Sequence, residues 1–144
     1  MHAVRIDAKA VAEAFPNAFL GVMLPDPVAV AASRADRSDV FFRHLVEDGT
    51  LECLMAHLLP GRHLALRLGD VTNHDDRAAL ICAVTALCVA VGDFTAVDDA
   101  DGWIVLPPRR FVQDWARADL KANAREEMPG CLCWTPEPSE ARPI

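Results

Sequence analysis

His74-Asp75-Asp76-Arg77-Ala78-Ala79-Leu80-Ile81-Cys82-Ala83-Val84-Thr85-Ala86-Leu87-Cys88-Val89-Ala90-Val91-Gly92 opens on charge and then runs apolar from Ala78 to Val91, broken only by Thr85. With no polar face, this run predicts a central core helix covered nearly all round. It is shorter than the roughly 20 residues that cross a bilayer, so a membrane span is not expected. Asp70-Val71-Thr72-Asn73 offers a choice of N-caps ahead of it. Gly92 closes it. Asp75 and Asp76 fall in its first turn, where the helix dipole and free N–H groups favour carboxylates.

C-terminal to this helix, Phe94 to Val97 and Trp103 to Leu106 read as two strands around the turn Asp98-Asp99-Ala100-Asp101-Gly102. Pro107-Pro108 stops the hairpin. A last amphipathic helix is predicted over Arg109 to Arg125, with Phe111, Val112, Trp115 and Leu120 turned to the core. The Pro-rich stretch from residue 126 to 144 reads as a tail.

N-terminal to it, His63 to Leu68 alternates weakly and suits an extended segment. Thr50 is read as capping a helix with Leu51, Leu54, Met55, Leu58 and Leu59 on one face, ended by Pro60-Gly61. The helix before it starts at Ser38, carries Val40, Phe41, Phe42, Leu45 and Val46, and stops at Gly49, so the two form a helical hairpin. Val28 to Arg37 is a loop or a weak helix. Ala18 to Leu24 is apolar and broken by Pro25-Asp26-Pro27. Val11-Ala12-Glu13-Ala14-Phe15 suits a buried strand stopped by Pro16, with Glu13 near its end. The chain holds no internal repeat.

A chain of 144 residues, 52% hydrophobic and 24% charged, has the size and composition of one folded domain. We assign residues 1–125 to that domain and 126–144 to the tail. The net charge of -7 argues against a generic basic nucleic-acid coat, since phosphate neutralisation needs clustered Lys and Arg. An enzyme holding divalent ions on carboxylates can still be acidic overall, because the bound ions reverse the local charge. Met1-His2-Ala3-Val4-Arg5 reaches a charge at once, unlike a signal peptide, so a cytoplasmic protein is expected. Five cysteines, two inside the apolar helix, fit reduced thiols in that compartment.

Three carboxylates draw notice. Acidic first turns are routine, so capping and solvation compete with function for Asp75 and Asp76. The contrast between that acidic pair and the apolar helix it opens puts charge at the edge of the core. Glu13 follows a buried strand, where a carboxylate is costly unless exposed, paired or on a metal. Mg2+ or Mn2+ is held by a few carboxylates and keeps several waters, which suits phosphodiester cleavage.

Val11-Ala12-Glu13-Ala14-Phe15-Pro16, the helix start Arg37-Ser38-Asp39, His74 through Ala86, and Asp101-Gly102-Trp103-Ile104-Val105-Leu106-Pro107-Pro108 together resemble the C-terminal half of the predicted ribonuclease H-like nucleases, a family largely of unknown function. The similarity covers about residues 10 to 110 and rests on order and spacing. It implies a partial ribonuclease H-like α/β fold, a small mixed sheet flanked by helices around the central apolar helix, with an acidic Mg2+ or Mn2+ site. Glu13 matches the strand-end glutamate, and Asp75 or Asp76 the acid opening the last active-site helix.

One family element is missing. The first strand ordinarily brings a Gly-Ile-Asp, and Ile6-Asp7-Ala8 lies too close to Glu13 to leave room for the intervening hairpin and helix. The absent Asp would be the central metal-bridging ligand. The resemblance therefore implies either a truncated nuclease or a short relative that has lost catalysis and kept a binding or oligomerisation role.

Other constellations are weaker. Cys53 and His57 are four apart on a helix, but Cys131-Leu132-Cys133 lacks the usual two-residue spacer of a zinc turn. Asp98, Asp99 and Asp101 suggest a calcium loop, yet Trp103 takes a ligand position and no Glu closes it. Arg109 and Arg110 are candidate contacts to a nucleic-acid backbone, competing with plain solvation. No Gly-rich phosphate loop or nucleophile elbow is present. The Phe41, Phe42, Leu45, Val46 stripe is read as core, or as a surface for a second copy.

Overall fold

The computed structural model describes residues 12–30, 36–99, 102–126 and 132–134. Along the chain the elements are β1 (Ala12–Ala14), α1 (Pro16–Gly21), α2 (Pro27–Val30), α3 (Arg37–Glu47), α4 (Thr50–Leu58), α5 (His74–Val91), β2 (Thr95–Asp99), β3 (Gly102–Leu106), α6 (Asp114–Glu126) and β4 (Leu132–Trp134), with 3-10 turns at Leu68–Asp70 and Arg109–Phe111. The fold is mixed α/β, and the described residues form one four-stranded sheet in the order β1-β3-β2-β4.

β1 lies parallel to β3, with Glu13 opposite Ile104. β2 and β3 are antiparallel from Thr95 opposite Leu106 to Asp99 opposite Gly102. The hairpin is thus longer than expected, because Asp98 and Asp99 belong to β2 and only residues 100–101 are left to connect the strands. A two-residue connection suits the twist of paired strands better than the five-residue turn read from the sequence. β4 pairs antiparallel with the other side of β2. The stretch read as a tail therefore supplies a strand, and it covers backbone groups that β2 would otherwise present unpaired.

α5 is the helix the sequence predicts, but it is not covered all round. Ile81, Val84, Thr85 and Cys88 form its buried stripe, at the spacing of one helix face. Ala79, Cys82, Ala83, Ala86 and Ala90 are exposed. The asymmetry lies in side-chain size rather than polarity: apart from Val91 in the last turn, the exposed apolar positions are small, so leaving them in water forfeits little apolar burial. Thr85 is tolerated in the buried stripe because its hydroxyl donates to the Ile81 carbonyl at 2.8 Å. Gly92, at φ +79°, ends the helix in the left-handed conformation and donates to the Cys88 and Val89 carbonyls.

Pro16 both stops β1 and opens α1, at the helical position where a missing N–H costs nothing. Phe19, Leu20, Met23 and Leu24 that follow are buried with Phe42, Leu45, Leu54 and Ile81. The cap of α3 is Asp36, whose carboxylate accepts from the Ser38 amide at 2.9 Å and the Ser38 hydroxyl at 2.6 Å. Thr50 does not cap α4. Gly49 holds that position at φ +78°, and the Asp48 carboxylate accepts from the Thr50 amide at 2.9 Å.

Residues 63–67 form a loop rather than an extended segment, with Leu64 and Leu66 exposed, and Leu68 opens the 3-10 turn and is buried. No strand lies beside them among the described residues, so weak alternation has nothing to pair with. The last helix starts at Asp114, after the 3-10 turn, because the chain between is tied to another segment. The Gln113 amide donates to the Val22 carbonyl at 2.9 Å, the Gln113 side chain to Met23 at 3.0 Å, and the Trp115 indole to Leu24 at 2.8 Å. These bonds satisfy carbonyls of a buried turn. Trp115 is consequently 38% exposed, while Val112 and Ala116 are buried. Among the described residues no helix is long and apolar enough to cross a membrane.

Candidate functional site

At the start of α5 the N-cap is Asn73, whose side-chain oxygen accepts from the Asp75 amide at 2.9 Å. Asp75 and Asp76 are exposed, and among the described residues their carboxylates make no hydrogen bond or ion pair. The capping role open to them in the sequence is therefore taken by Asn73, and solvation and the field of the helix dipole remain as structural reasons for them. Consecutive helical residues point about 100° apart, so the two carboxylates diverge and cannot grip one ion as a pair.

The start of α3 docks against this end of α5. Arg77 reaches Asp39 at 3.2 Å, donates to the Val71 carbonyl at 2.8 Å, and lies 5.5 Å over the Phe42 ring. Its side chain is only 12% exposed, so these contacts fix it. His74 stands 3.3 Å from Asp39 and 3.8 Å from Asp36. The Ser38 hydroxyl, then the Ser38 amide, hold the Asp36 carboxyl below its usual range, with a smaller contribution from His74. Asp36 and Asp39 thus join the acidic end of α5, a grouping hidden in the sequence because the partners lie more than thirty residues apart.

Glu13 is exposed on β1, and no side chain among the described residues pairs with it. Two residues on, Phe15 lines a groove of about 700 Å³ with Asn17, Ala18, Pro27, Val28, Arg37 and Phe41. That groove has the end of β1 on one side and the start of α3, which holds the start of α5, on the other. Among the described residues no three His, Cys, Asp or Glu side chains converge on a metal-sized volume. Glu13, Asp75 and Asp76 therefore do not make a closed three-ligand centre. Each carboxylate, taken singly, is a hard oxygen donor of the kind an open Mg2+ site combines with waters and substrate phosphate.

Arg109 and Arg110 lie in the 3-10 turn after Pro107-Pro108, not at a helix start. Arg110 meets a second polar cluster. His57 Nε2 is 2.7 Å from Asp93 Oδ2, and Arg110 Nη1 is 3.3 Å from His57 Nδ1. Phe111 flanks both, with ring centroids 5.5 Å from His57 and the Arg110 guanidinium 5.7 Å over the Phe111 ring. Asp93 follows the C-terminal end of α5, whose 18 residues span about 27 Å. This cluster and the acidic start of α5 are separate features. The zinc pairing of Cys53 with His57 is not formed, since both imidazole nitrogens are engaged elsewhere. Asp98 and Asp99 lie in β2 rather than in a calcium loop.

The sequence does not reveal the His57 cluster, whose members come from distant segments of the chain. The one available signal, the acid immediately after the Gly92 stop, does not reveal which histidine it faces. No family model, curated protein or solved structure matches the chain.

Proposed function

We propose that the chain is a nuclease-like domain of the ribonuclease H type, a metal-dependent phosphodiester hydrolase. In this reading Glu13 and Asp75 or Asp76 are the carboxylates for Mg2+ or Mn2+. One observation carries it: with Asn73 as the cap, the two aspartates opening α5 are exposed and left without a partner among the described residues. A bound divalent ion would supply an activated water and stabilise the leaving oxygen. The chain's own part is to hold the acidic start of α5 rigidly, through Arg77 on Asp39 and Phe42. The groove beside Phe15 and Arg37 is the expected path for a nucleic-acid strand, with Arg37 facing phosphate. The net charge of -7 makes binding depend on the divalent ion. The free thiols of Cys53 and Cys82 fit a cytoplasmic setting.

The test is cleavage of single-stranded RNA and DNA with Mg2+ or Mn2+ by the wild type and by Asp75→Asn and Asp76→Asn. One of the two variants loses at least about tenfold in rate, as expected for a group that holds the ion. Equal rates in all three proteins, or no cleavage by any, sink the enzymatic reading.

A second reading, a non-catalytic interaction or oligomerisation module of the same fold, is favoured by two features. β1 is an edge strand, and α5 exposes a face of small apolar residues. Sedimentation across a concentration series distinguishes it, since a strict monomer counts against self-association.

A further inference from the structure

We propose that Arg110 is a pre-set binding group for a phosphate oxyanion, with His57, Asp93 and Phe111 as its positioning residues. Arg77 and Arg117 are neutralised by Asp39 and Asp114, whereas Arg37, Arg62 and Arg67, like Arg110, make no ion pair among the described residues, and of these four Arg110 is the one held by another side chain. Arg110 makes no ion pair among the described residues; its one hydrogen-bond partner there is the ring nitrogen of His57 at 3.3 Å.

That contact selects one tautomer of the imidazole. A guanidinium only donates, so the contact is a hydrogen bond in the tautomer whose Nδ1 accepts and whose Nε2–H faces Asp93 at 2.7 Å. His57 therefore holds Arg110 without cancelling its charge. Asp93, on the far nitrogen, fixes the tautomer and the ring plane. The Phe111 ring, 5.7 Å from the guanidinium, sets the orientation of the fork. Four of the five guanidinium N–H donors remain unused among the described residues. An exposed, oriented and un-neutralised guanidinium matches the bidentate geometry of a phosphate group, which a lysine in its place would not reproduce.

The inference deepens the reading of Arg110 as a nucleic-acid contact but needs no hydrolysis. The cluster lies beyond the opposite end of α5 from Asp75, so phosphate binding can fail while metal-dependent cleavage survives, and the reverse.

The probe is inorganic phosphate, followed by the NMR signal of the Arg110 Nε–H group in the full chain, with a short single-stranded oligonucleotide as a second arm. Phosphate shifts that signal saturably, with affinity in the millimolar range. Arg110→Ala abolishes the binding, and Arg110→Lys weakens it at least about fivefold. His57→Leu leaves Arg110 charged but unheld and weakens binding several-fold while the remaining amide spectrum is unchanged. If the oligonucleotide shifts the same signal at lower concentration, the phosphate is a backbone diester; if only inorganic phosphate does, it is a free or terminal phosphate. An Arg110 signal that neither probe moves, or Arg110→Ala binding as well as the wild type, overturns the proposal.

Discussion

Asn73 and Asp75 divide two tasks that the sequence alone leaves superimposed. Asn73 satisfies the orphan donor of α5, so Asn73→Ala is expected to cost about 1 kcal/mol of stability. Asp75→Asn keeps the cap and loses only its interaction with the helix dipole, a few tenths of a kcal/mol. Urea denaturation of the two variants checks this, and an Asp75→Asn effect as large as that of Asn73→Ala would return the carboxylate to a structural role. Cys88 offers a pH signature. Burial foremost, then the charge of Asp93, push its thiol up to about 12 from an ordinary value of 9.0. Below pH 9 both the folded and unfolded chains keep that proton. Between pH 9 and 12 the unfolded chain releases it while the folded chain does not, so stability falls as pH rises. Replacing Cys88 by Ala should make that decline shallower, whatever it does to stability at neutral pH; parallel declines would contradict the assignment. At neutral pH Cys53 and Cys82 are expected to alkylate readily and Cys88 not at all without unfolding.

α5 shows where element-level reading succeeds and where it stops. The existence, ends and first-turn acids of the helix follow from its sequence, because Gly92 and the apolar run are local signals. Its exposed side does not, because Ala and Cys count as apolar in a periodicity yet are small enough to face water. Gly92→Ala should cost about 1 kcal/mol through the backbone alone, since φ is +79° and, among the described residues, no neighbouring atom lies within 4 Å of the new methyl. A thermal melt reads this, and an unchanged midpoint would mean the helix end can shift. The hairpin was legible as two strands but not in register, because pairing of Asp98 and Asp99 depends on the partner strand. β4 was illegible, for three residues of Leu-Cys-Trp in a Pro-rich stretch form a strand only where the edge of β2 is open to receive them. The start of α6 moved for a similar reason, fixed by Gln113 and Trp115 bonding to carbonyls some ninety residues earlier.

Across the whole molecule, the sheet and helices meet in a core built from Phe19, Leu20, Met23, Leu24, Phe42, Leu45, Leu54, Ile81 and Val105. Most of those residues lie in apolar runs visible in the sequence, so the mixed α/β class was readable. The polar groupings were not, because Asp39 with Arg77 and His57 with Asp93 and Arg110 depend on how distant elements pack. Glu13, Asp75 and Asp76 stand out in the sequence by position, and the fold leaves all three exposed and unpaired among the described residues. The ribonuclease H-type reading therefore turns on whether these acids hold a hard ion. Titration with Mn2+, followed by paramagnetic broadening of backbone amide signals, tests this most directly. Early broadening is expected at residues 74–77 and at Glu13, lost when Asp75 and Asp76 are both replaced by Asn. Broadening that is no stronger there than at the exposed carboxylates of α6, Asp114 and Asp119, or that survives the double replacement, would contradict it.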